Sequence, residues 1–266
     1  MKKRFMNVLM VFLFVVGLGI LLYPFISNWV AERQMVSKIR NYEAIVGALS
    51  EEARNIEWGK AKRYNEQLRT TRDVLPKQYQ TILAVEEMMG AIEIPKIGVN
   101  LPIYHGVEES VLQRGVGHIE GTSIPVGGMG THAFLTAHTG LPSVKLFSDL
   151  NRLDKGDEFF IEVLGTTLVY RVCEIEILEP DQVFPGSIAA GEDTVTLMTC
   201  TPYGINSHRL LVVGERVAVG KTTTQLATDK KIHMYAIALL LSCAGIILVL
   251  ILSFVFERRH RKKQAR

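Results

Sequence analysis

Two uncharged apolar runs constrain this 266-residue chain before any motif does. Met6 to Ile26 (MNVLMVFLFVVGLGILLYPFI) and Tyr235 to Phe256 (YAIALLLSCAGIILVLILSFVF) contain no Asp, Glu, Lys or Arg. As helices, each is long enough to cross a hydrocarbon core of about 30 Å. Lipid cannot satisfy a bare backbone, so both runs are expected to form transmembrane helices and the rest of the chain must fold in water. The first run is longer than the apolar core of a signal peptide, about 7 to 15 residues, and no clear A-x-A site follows it, so it reads as an uncleaved anchor.

Basic residues set the orientation, because Lys and Arg near a span stay on the cytoplasmic side. Lys2, Lys3 and Arg4 precede the first span, and Arg258, Arg259, Arg261, Lys262, Lys263 and Arg266 follow the second. Both ends are therefore expected in the cytoplasm, with Ser27 to about Lys231 outside the cell. Nine basic residues against Glu257 give the two ends +8, so a whole-chain charge of +3 leaves the external part at −5. Nothing in that balance supports nucleic acid as a partner. The basic ends suit anionic lipid headgroups instead.

Between the spans the texture changes twice. From Trp29 to about Leu83, Val30, Ala31, Met35, Val36, Ile39, Tyr42, Ile45 and Val46 recur mostly at steps of three and four, which predicts a helical arm broken at Ser50 and around Pro76. From Gly90 the chain turns to short β-like runs separated by Gly and Pro: AIEIPKIGVNLPIYHG, THAFLTAHTG, DEFFIEVLG, TTLVYRVCEIEILE, DTVTLMTC and HRLLVVGERV. A helix is expected at about Pro142 to Leu150. Some 130 residues of short strands suit one closed barrel, which also removes exposed sheet edges. The fold expectation is thus mainly β, a barrel of about eight strands with short helices over 90–219. It is preceded by cytoplasmic end and anchor (1–28) and arm (29–89), and followed by a polar linker (220–234), second span (235–256) and basic tail (257–266).

The chain has three cysteines, Cys173, Cys200 and Cys243, without a C-x-x-C or a Cys/His cluster of zinc spacing, so no metal site is expected. Cys173 alternates within VYRVCEIEIL and reads as core, and Cys243 falls inside the second span. Cys200 is different, because it ends the run TVTLMTC where a strand meets the loop TPYGINS. Strand ends on a rigid scaffold carry reactive groups into solvent with their orientation kept. The competing reading is a packed thiol.

Company decides between them, since a nucleophilic thiol needs a base or positive group and acyl transfer needs a donor for the oxyanion. Arg209 opens the strand that follows, and if the two strands pair it lies beside Cys200. Its guanidinium stays protonated, so it can hold a carbonyl or an oxyanion but cannot act as a base. Five external histidines remain as partners. His138 follows AFLTA at a strand-to-loop junction; His132 starts the same strand at the opposite end; His105 and His118 lie next to glycines in expected turns; His208 should point to the face opposite Arg209. Spacing alone leaves that choice open.

The segment TLMTCTPYGINSHR resembles the T-L-x-T-C strand and following loop of the sortases, extracytoplasmic cysteine transpeptidases of Gram-positive bacteria. LTAHTGLPS is similar to the strand and turn carrying their histidine, and IEIPKIGVNLPIYHG to their opening strands. The likeness runs in order from about Gly90 to Val217. It implies Cys200 as nucleophile, His138 as general acid and base, and Arg209 as the group that binds the substrate carbonyl and stabilises the oxyanion. It further implies cleavage of LPXTG-type sorting signals between Thr and Gly, and transfer to an amine without any metal or organic cofactor. The partners so implied are pilin or surface-protein precursors and an acceptor amine from a pilin lysine or a peptidoglycan precursor.

The second span with its basic tail, and the wording of LPIYHG, GVGHIEGTSIPVGG and TCTPYGINSHRLL, look most like the pilus-building class C. That class often carries an Asp-Pro-aromatic lid motif over the cysteine. Here the nearest candidate, Asp73-Val74-Leu75-Pro76, has no Asp-Pro step, and Trp58 lacks a preceding Asp-Pro, so no lid anchor is assigned. Pro102, Ile103, Val183, Ile188 and Ala190 are the expected lining of a groove for the extended signal. Within enzymes, the alternatives are a wall-anchoring sortase and a cysteine protease using water; outside them, a membrane-anchored binding barrel in which Cys200 only packs.

Overall fold

Ser50 ends one helix and starts the next. In the computed structural model, which describes residues 2–70, 76–141, 144–183 and 191–217, helix α1 spans Lys2–Ala48 and helix α2 spans Glu51–Thr70. The Ser50 hydroxyl accepts the Ala53 N–H at 3.1 Å, and Glu51 and Glu52 place negative charge in the first turn of α2. Both features favour a helix N-terminus. The expected break at Ser50 is therefore a cap.

The chain divides into two compact units at Trp29/Val30. In the first, the large apolar side chains of α1, among them Val8, Phe12, Ile20 and Leu21, are exposed. This helix is long and apolar enough to cross a membrane, with a mean hydropathy of 2.6 in its most apolar window. The second expected span, the linker and the basic tail lie outside the described residues.

In the second unit the arm is anchored onto the barrel. Met35, Ile39, Tyr42 and Val46 of α1 are buried at steps of four, three and four, and Ala61, Tyr64, Asn65 and Leu68 of α2 form a second buried stripe. Polar side chains fix the register of this contact. The Tyr42 hydroxyl donates to the Met89 carbonyl (3.2 Å) and accepts the Leu164 N–H (3.0 Å). The Asn65 amide donates to the Ile124 carbonyl (3.0 Å) and accepts the Ile124 N–H (2.7 Å). A short helix α3, Pro76–Tyr79, completes the arm.

The barrel strands are β1 (Met88–Ile94), β2 (Val99–His105), β3 (Val116–His118), β4 (Thr131–Thr136), β5 (Glu158–Val163), β6 (Thr166–Leu178), β7 (Asp193–Thr201) and β8 (His208–Arg216). They close in the order β1-β2-β3-β4-β7-β8-β6-β5. The barrel thus has the expected eight strands and begins at Met88, two residues before the expected Gly90. Two neighbouring pairs, β2 with β3 and β4 with β7, are parallel. A parallel pair cannot be joined by a tight turn. The first crossover carries helix α4, Glu109–Leu112, and the second carries the whole β5–β6 hairpin.

Alternation sorts the strands into two faces. Leu135, Val195, Leu197, Leu210 and Val212 join Ile92, Ile103, Phe159 and Ile161 in one core. Gly214 occupies an inward position where a Cβ would come within 2.5 Å of the Phe159 ring, so a side chain there would displace the core.

Three expectations are corrected. The helix expected over 142–150 is absent from its described part, 144–150, which is turn from Leu146 with a 3₁₀ turn at Leu150–Arg152, and Leu146 has φ of 40°, outside the α region. Cys173 is not core. It is the extra residue of a bulge between Val172 and Glu174, which removes it from the alternation and leaves it half-buried, with its thiol donating to the Val213 carbonyl at 3.4 Å. His105 and His118 end strands rather than sit in open turns, and both are buried.

Those two histidines bind the arm. His118 Nε2 donates to the Ser123 carbonyl (2.8 Å), and the Tyr79 hydroxyl donates to the His118 carbonyl (2.9 Å) while lying 3.0 Å from Nδ1. The same hydroxyl accepts the Gly106 N–H at 2.9 Å, and His105 Nε2 donates to the Ile82 carbonyl at 2.7 Å. Burial pushes the His118 pKa down to about 4 and also lowers that of His105, so both are neutral at pH 7.

Candidate active site

β7 and β8 are antiparallel, and their register pairs Cys200 directly with Arg209. Direct partners project to the same face, with Cβ atoms about 4.5–5.5 Å apart. That face is the outer one, since Leu197 and Thr199 on β7 and Leu210 on β8 point the other way and are buried. Both Cys200 and Arg209 are half-buried. They sit one pair from the end of a rigid ladder while remaining open to a ligand on one side.

His138 reaches the same place from β4. The parallel register runs from Thr131 opposite Asp193 to Thr136 opposite Met198, and two further bonds extend it beyond the strand end. The Ala137 N–H donates to the Met198 carbonyl (3.2 Å), and the Thr199 hydroxyl donates to the Ala137 carbonyl (2.8 Å). Continued by two residues, this register brings His138 level with Cys200. The backbone after it is pinned by Phe147 N–H to the His138 carbonyl (3.2 Å) and Gly140 N–H to the Ser148 hydroxyl (3.1 Å). Gly140, at φ of 78°, faces the Tyr203 ring, so the turn after His138 meets the loop after Cys200.

The fold thus brings the three expected residues to one end of three adjacent strands, β4, β7 and β8. Among the other described histidines, His208 shares this strand end but pairs with Thr201 rather than Cys200 and contacts the Ser207 hydroxyl at 2.8 Å, whereas His132, near the start of β4, contacts the Thr196 hydroxyl at 2.7 Å, and His105 and His118 are buried under the arm.

The Arg209 guanidinium is parked on its own loop, with one terminal nitrogen, Nη1, donating to the carbonyls of Asn206 (3.2 Å) and His208 (3.1 Å). The rest of its five donors can therefore serve a substrate carbonyl without a buried ion pair being broken. Tyr203 and Ile205, on that loop, are among the most exposed large apolar side chains outside α1. Of the expected groove residues, Ile103 is fully buried in the core and Pro102 is buried on β2, so neither lines an open surface. Val183 is half-buried, and Ile188 and Ala190 lie outside the described residues, as do Asp73, Val74 and Leu75 of the lid candidate.

One contact had no signal in the sequence. Glu109, the first residue of α4, places Oε2 3.1 Å from His138 Nε2. A surface cavity of about 660 Å³ lies on α2, lined by Glu51, Glu52, Asn55, Ile56, Gly59 and Arg63, and includes none of the site residues. Among the described residues no group of three or more His, Cys, Asp or Glu side chains is placed to hold a metal ion.

A family model described as a sortase domain matches residues 92–217, the barrel from β1 to the end of β8. Sortase C1 of GBS pilus island 1 is 43% identical with a TM-score of 0.67, over 72% of this chain and 96% of that one. Sortase C of Streptococcus pneumoniae, whose structure is described in relation to catalysis and pilin substrate specificity, is 41% identical with a TM-score of 0.65, over 69% and 97%. Sortase A of Bacillus anthracis is 26% identical over 216 residues, 81% of this chain and 96% of that protein.

Proposed function

Because this chain belongs to the sortase family, whose members are membrane-associated cysteine transpeptidases, we propose that it builds pili by cleaving LPXTG-type sorting signals and joining the acyl fragment to a pilin lysine. The observation that carries the reading is the pairing of Cys200 with Arg209, beside which the β4–β7 register, continued two residues past the end of β4, brings His138. The pilus assignment draws on the likeness, at 43% and 41% identity, to enzymes described by a pilus island and by pilin specificity.

The reaction proceeds in two acyl transfers. The Cys200 thiolate attacks the Thr carbonyl carbon of the signal, and the electron pair of the C=O bond moves to oxygen. Arg209 faces that oxygen with free N–H donors, which stabilises charge that exists only in the transition state and intermediate. As the carbonyl re-forms, the C–N bond to Gly breaks and the His138 imidazolium gives its proton to the departing amine. A Cys200 thioester remains.

The acceptor lysine, as free amine, then attacks the thioester carbonyl. His138, now neutral, takes the proton from the attacking nitrogen, and the thiolate leaves to regenerate the enzyme. No step in this cycle calls on a metal or an organic cofactor.

Membrane attachment supports the second transfer. The exposed apolar part of α1 would anchor the enzyme, and the run from Tyr235 to Phe256 would supply a second span, with both ends cytoplasmic and the barrel outside. Precursors held in the same membrane meet the enzyme in two dimensions, so effective concentration substitutes for tight binding.

A second reading draws on the likeness to sortase A over 96% of that protein: anchoring of surface proteins to a peptidoglycan amine. Incubating enzyme-bearing membranes with a pilin precursor separates the two. A covalent ladder of high mass, absent with Cys200→Ala, is expected; wall-linked monomer without a ladder would overturn pilus building.

A further inference from the structure

The crossover between β2 and β3 does more than close the barrel. It must pass over one face of the sheet, and its helix α4 packs on β3, the strand beside β4. This brings Glu109 to the imidazole that follows β4, with Oε2 3.1 Å from His138 Nε2. We propose that Glu109 is a positioning residue for the transpeptidase reaction, which fixes the tautomer and the orientation of the His138 imidazole.

The loop that carries Glu109 is held at both ends. Before it, the Gly106 N–H donates to the buried Tyr79 hydroxyl at 2.9 Å. After it, the Val111 and Leu112 N–H groups close onto the Glu108 carbonyl (2.9 and 3.0 Å), and Val111 is buried. The carboxylate itself is aimed by Gln113, whose amide donates to Oε1 at 3.0 Å and leaves Oε2 for His138. The hydrogen bonds from Gln113 and then from His138 hold the Glu109 carboxyl below its usual range, so it is ionised at neutral pH.

An ionised carboxylate only accepts. Nε2 must therefore carry a proton in both charge states of His138, and the lone pair of the neutral ring resides on Nδ1. The inference follows that Nδ1 receives the proton of the acceptor amine and returns one to the leaving amine. Side chains fix a catalytic imidazole in this way wherever one ring nitrogen is committed to a structural partner. On the two neighbouring strands the residues level with His138 are Cys200 on β7 and Arg209 on β8. Neither supplies an alternative carboxylate. Glu109 is exposed, so its replacement leaves the core untouched.

This inference rests on the sortase reading for its kinetic arm and is independent of it for its spectroscopic arm. Full-length protein in detergent, labelled with ¹⁵N-histidine, reports the tautomer directly, and His138 is assigned by the signals missing from His138→Gln. The wild type is expected to show the Nε2–H form once neutral, and Glu109→Ala a mixture. Glu109→Gln keeps an acceptor oxygen at the same reach and is expected to restore the Nε2–H form.

In cleavage of a sorting-signal peptide, Glu109→Ala is expected to lower kcat by about three- to tenfold with KM unchanged. That is a misaligned rather than a missing acid–base group, whose removal costs about 10²- to 10⁴-fold. Glu109→Gln should recover kcat to within about twofold. An unchanged tautomer in Glu109→Ala, an unchanged kcat, or a Glu109→Gln that behaves like Glu109→Ala would each overturn the assignment. A wild type that shows the Nε2–H form yet cleaves no sorting signal would overturn the sortase reading and leave the contact standing.

Discussion

Thr199→Val removes one hydrogen bond from the point where the nucleophile strand meets the histidine strand. The Thr199 hydroxyl donates to the Ala137 carbonyl at 2.8 Å, and both residues are buried, at 3% exposure each. Valine keeps the β-branched shape and the preferred rotamer, so the change subtracts a donor and little else. A typical net hydrogen bond contributes about 0.5–1.5 kcal/mol, and a buried acceptor left unpaired costs about 1–3 kcal/mol. A loss near 2 kcal/mol follows, which lowers the Tm of a domain of 150–250 residues by about 4–8 °C.

The catalytic consequence is separate and larger than a stability effect at working temperature. Thr199 immediately precedes Cys200 and Ala137 immediately precedes His138, so this bond sets the spacing of the two reacting groups. A misplacement of about 1 Å can cost 10²-fold in rate. We expect kcat for signal cleavage to fall by at least about fivefold well below the Tm, with KM little changed. Differential scanning fluorimetry and steady-state peptide cleavage on the same preparation measure both quantities. A lowered Tm with unchanged kcat would refute the claim that this link positions the dyad; an unchanged Tm would refute the bond itself.

Two further outcomes follow from the geometry. Arg209→Ala should lower kcat/KM by about 10²- to 10³-fold, the usual loss for one oxyanion donor, and Arg209→Lys should rescue only part of it because a point ammonium lacks the planar fork; equal activity in all three proteins would remove Arg209 from the chemistry. Stability should fall as pH drops from about 6.5 to about 4, because the folded state keeps His118 neutral down to about 4, and His105 neutral below its ordinary range, while the unfolded chain protonates both near 6.5. Below the folded value the loss from His118 is complete, on the order of 3 kcal/mol. Urea midpoints across that range check it, and a midpoint independent of pH would contradict the buried-histidine account.

Which parts of this arrangement could be read from sequence depends on the range of the contacts involved. β7 and β8 are consecutive strands joined by a short loop, so the assumption that they pair is enough to bring Cys200 beside Arg209, as the register has it. His138 needed the family resemblance. Its partner β7 follows only after the β5–β6 hairpin, and no local pattern announces a parallel pairing across such an insertion. The arm is legible because Met35, Ile39, Tyr42 and Val46 bury a helical stripe and Ser50 marks the break, which the structure shows to be a cap.

Other features were opaque for equally physical reasons. The bulge at Cys173 breaks an alternation that looked unbroken, and the positive φ of Leu146 forbids the helix that its neighbours suggest. The short strand β3, three residues long, leaves no period to detect and so hid the burial of His118. Glu109 sits beside Glu108 with no local pattern that points to His138, and only the crossover brings the two together. Ile103 gives no sign in the sequence of which face it occupies, because both of its neighbours on the strand are apolar.

The central claim is that Cys200 carries the acyl group between donor and acceptor, and intact-protein and peptide mass spectrometry of the trapped intermediate tests it most directly. Full-length enzyme in membranes, given a precursor with an LPXTG-type signal and no acceptor amine, is expected to yield a Cys200 thioester ending in the Thr of the signal, discharged when a lysine-bearing pilin is added. Release of cleaved precursor with no acyl group on Cys200, or an acyl group on another residue, would contradict it.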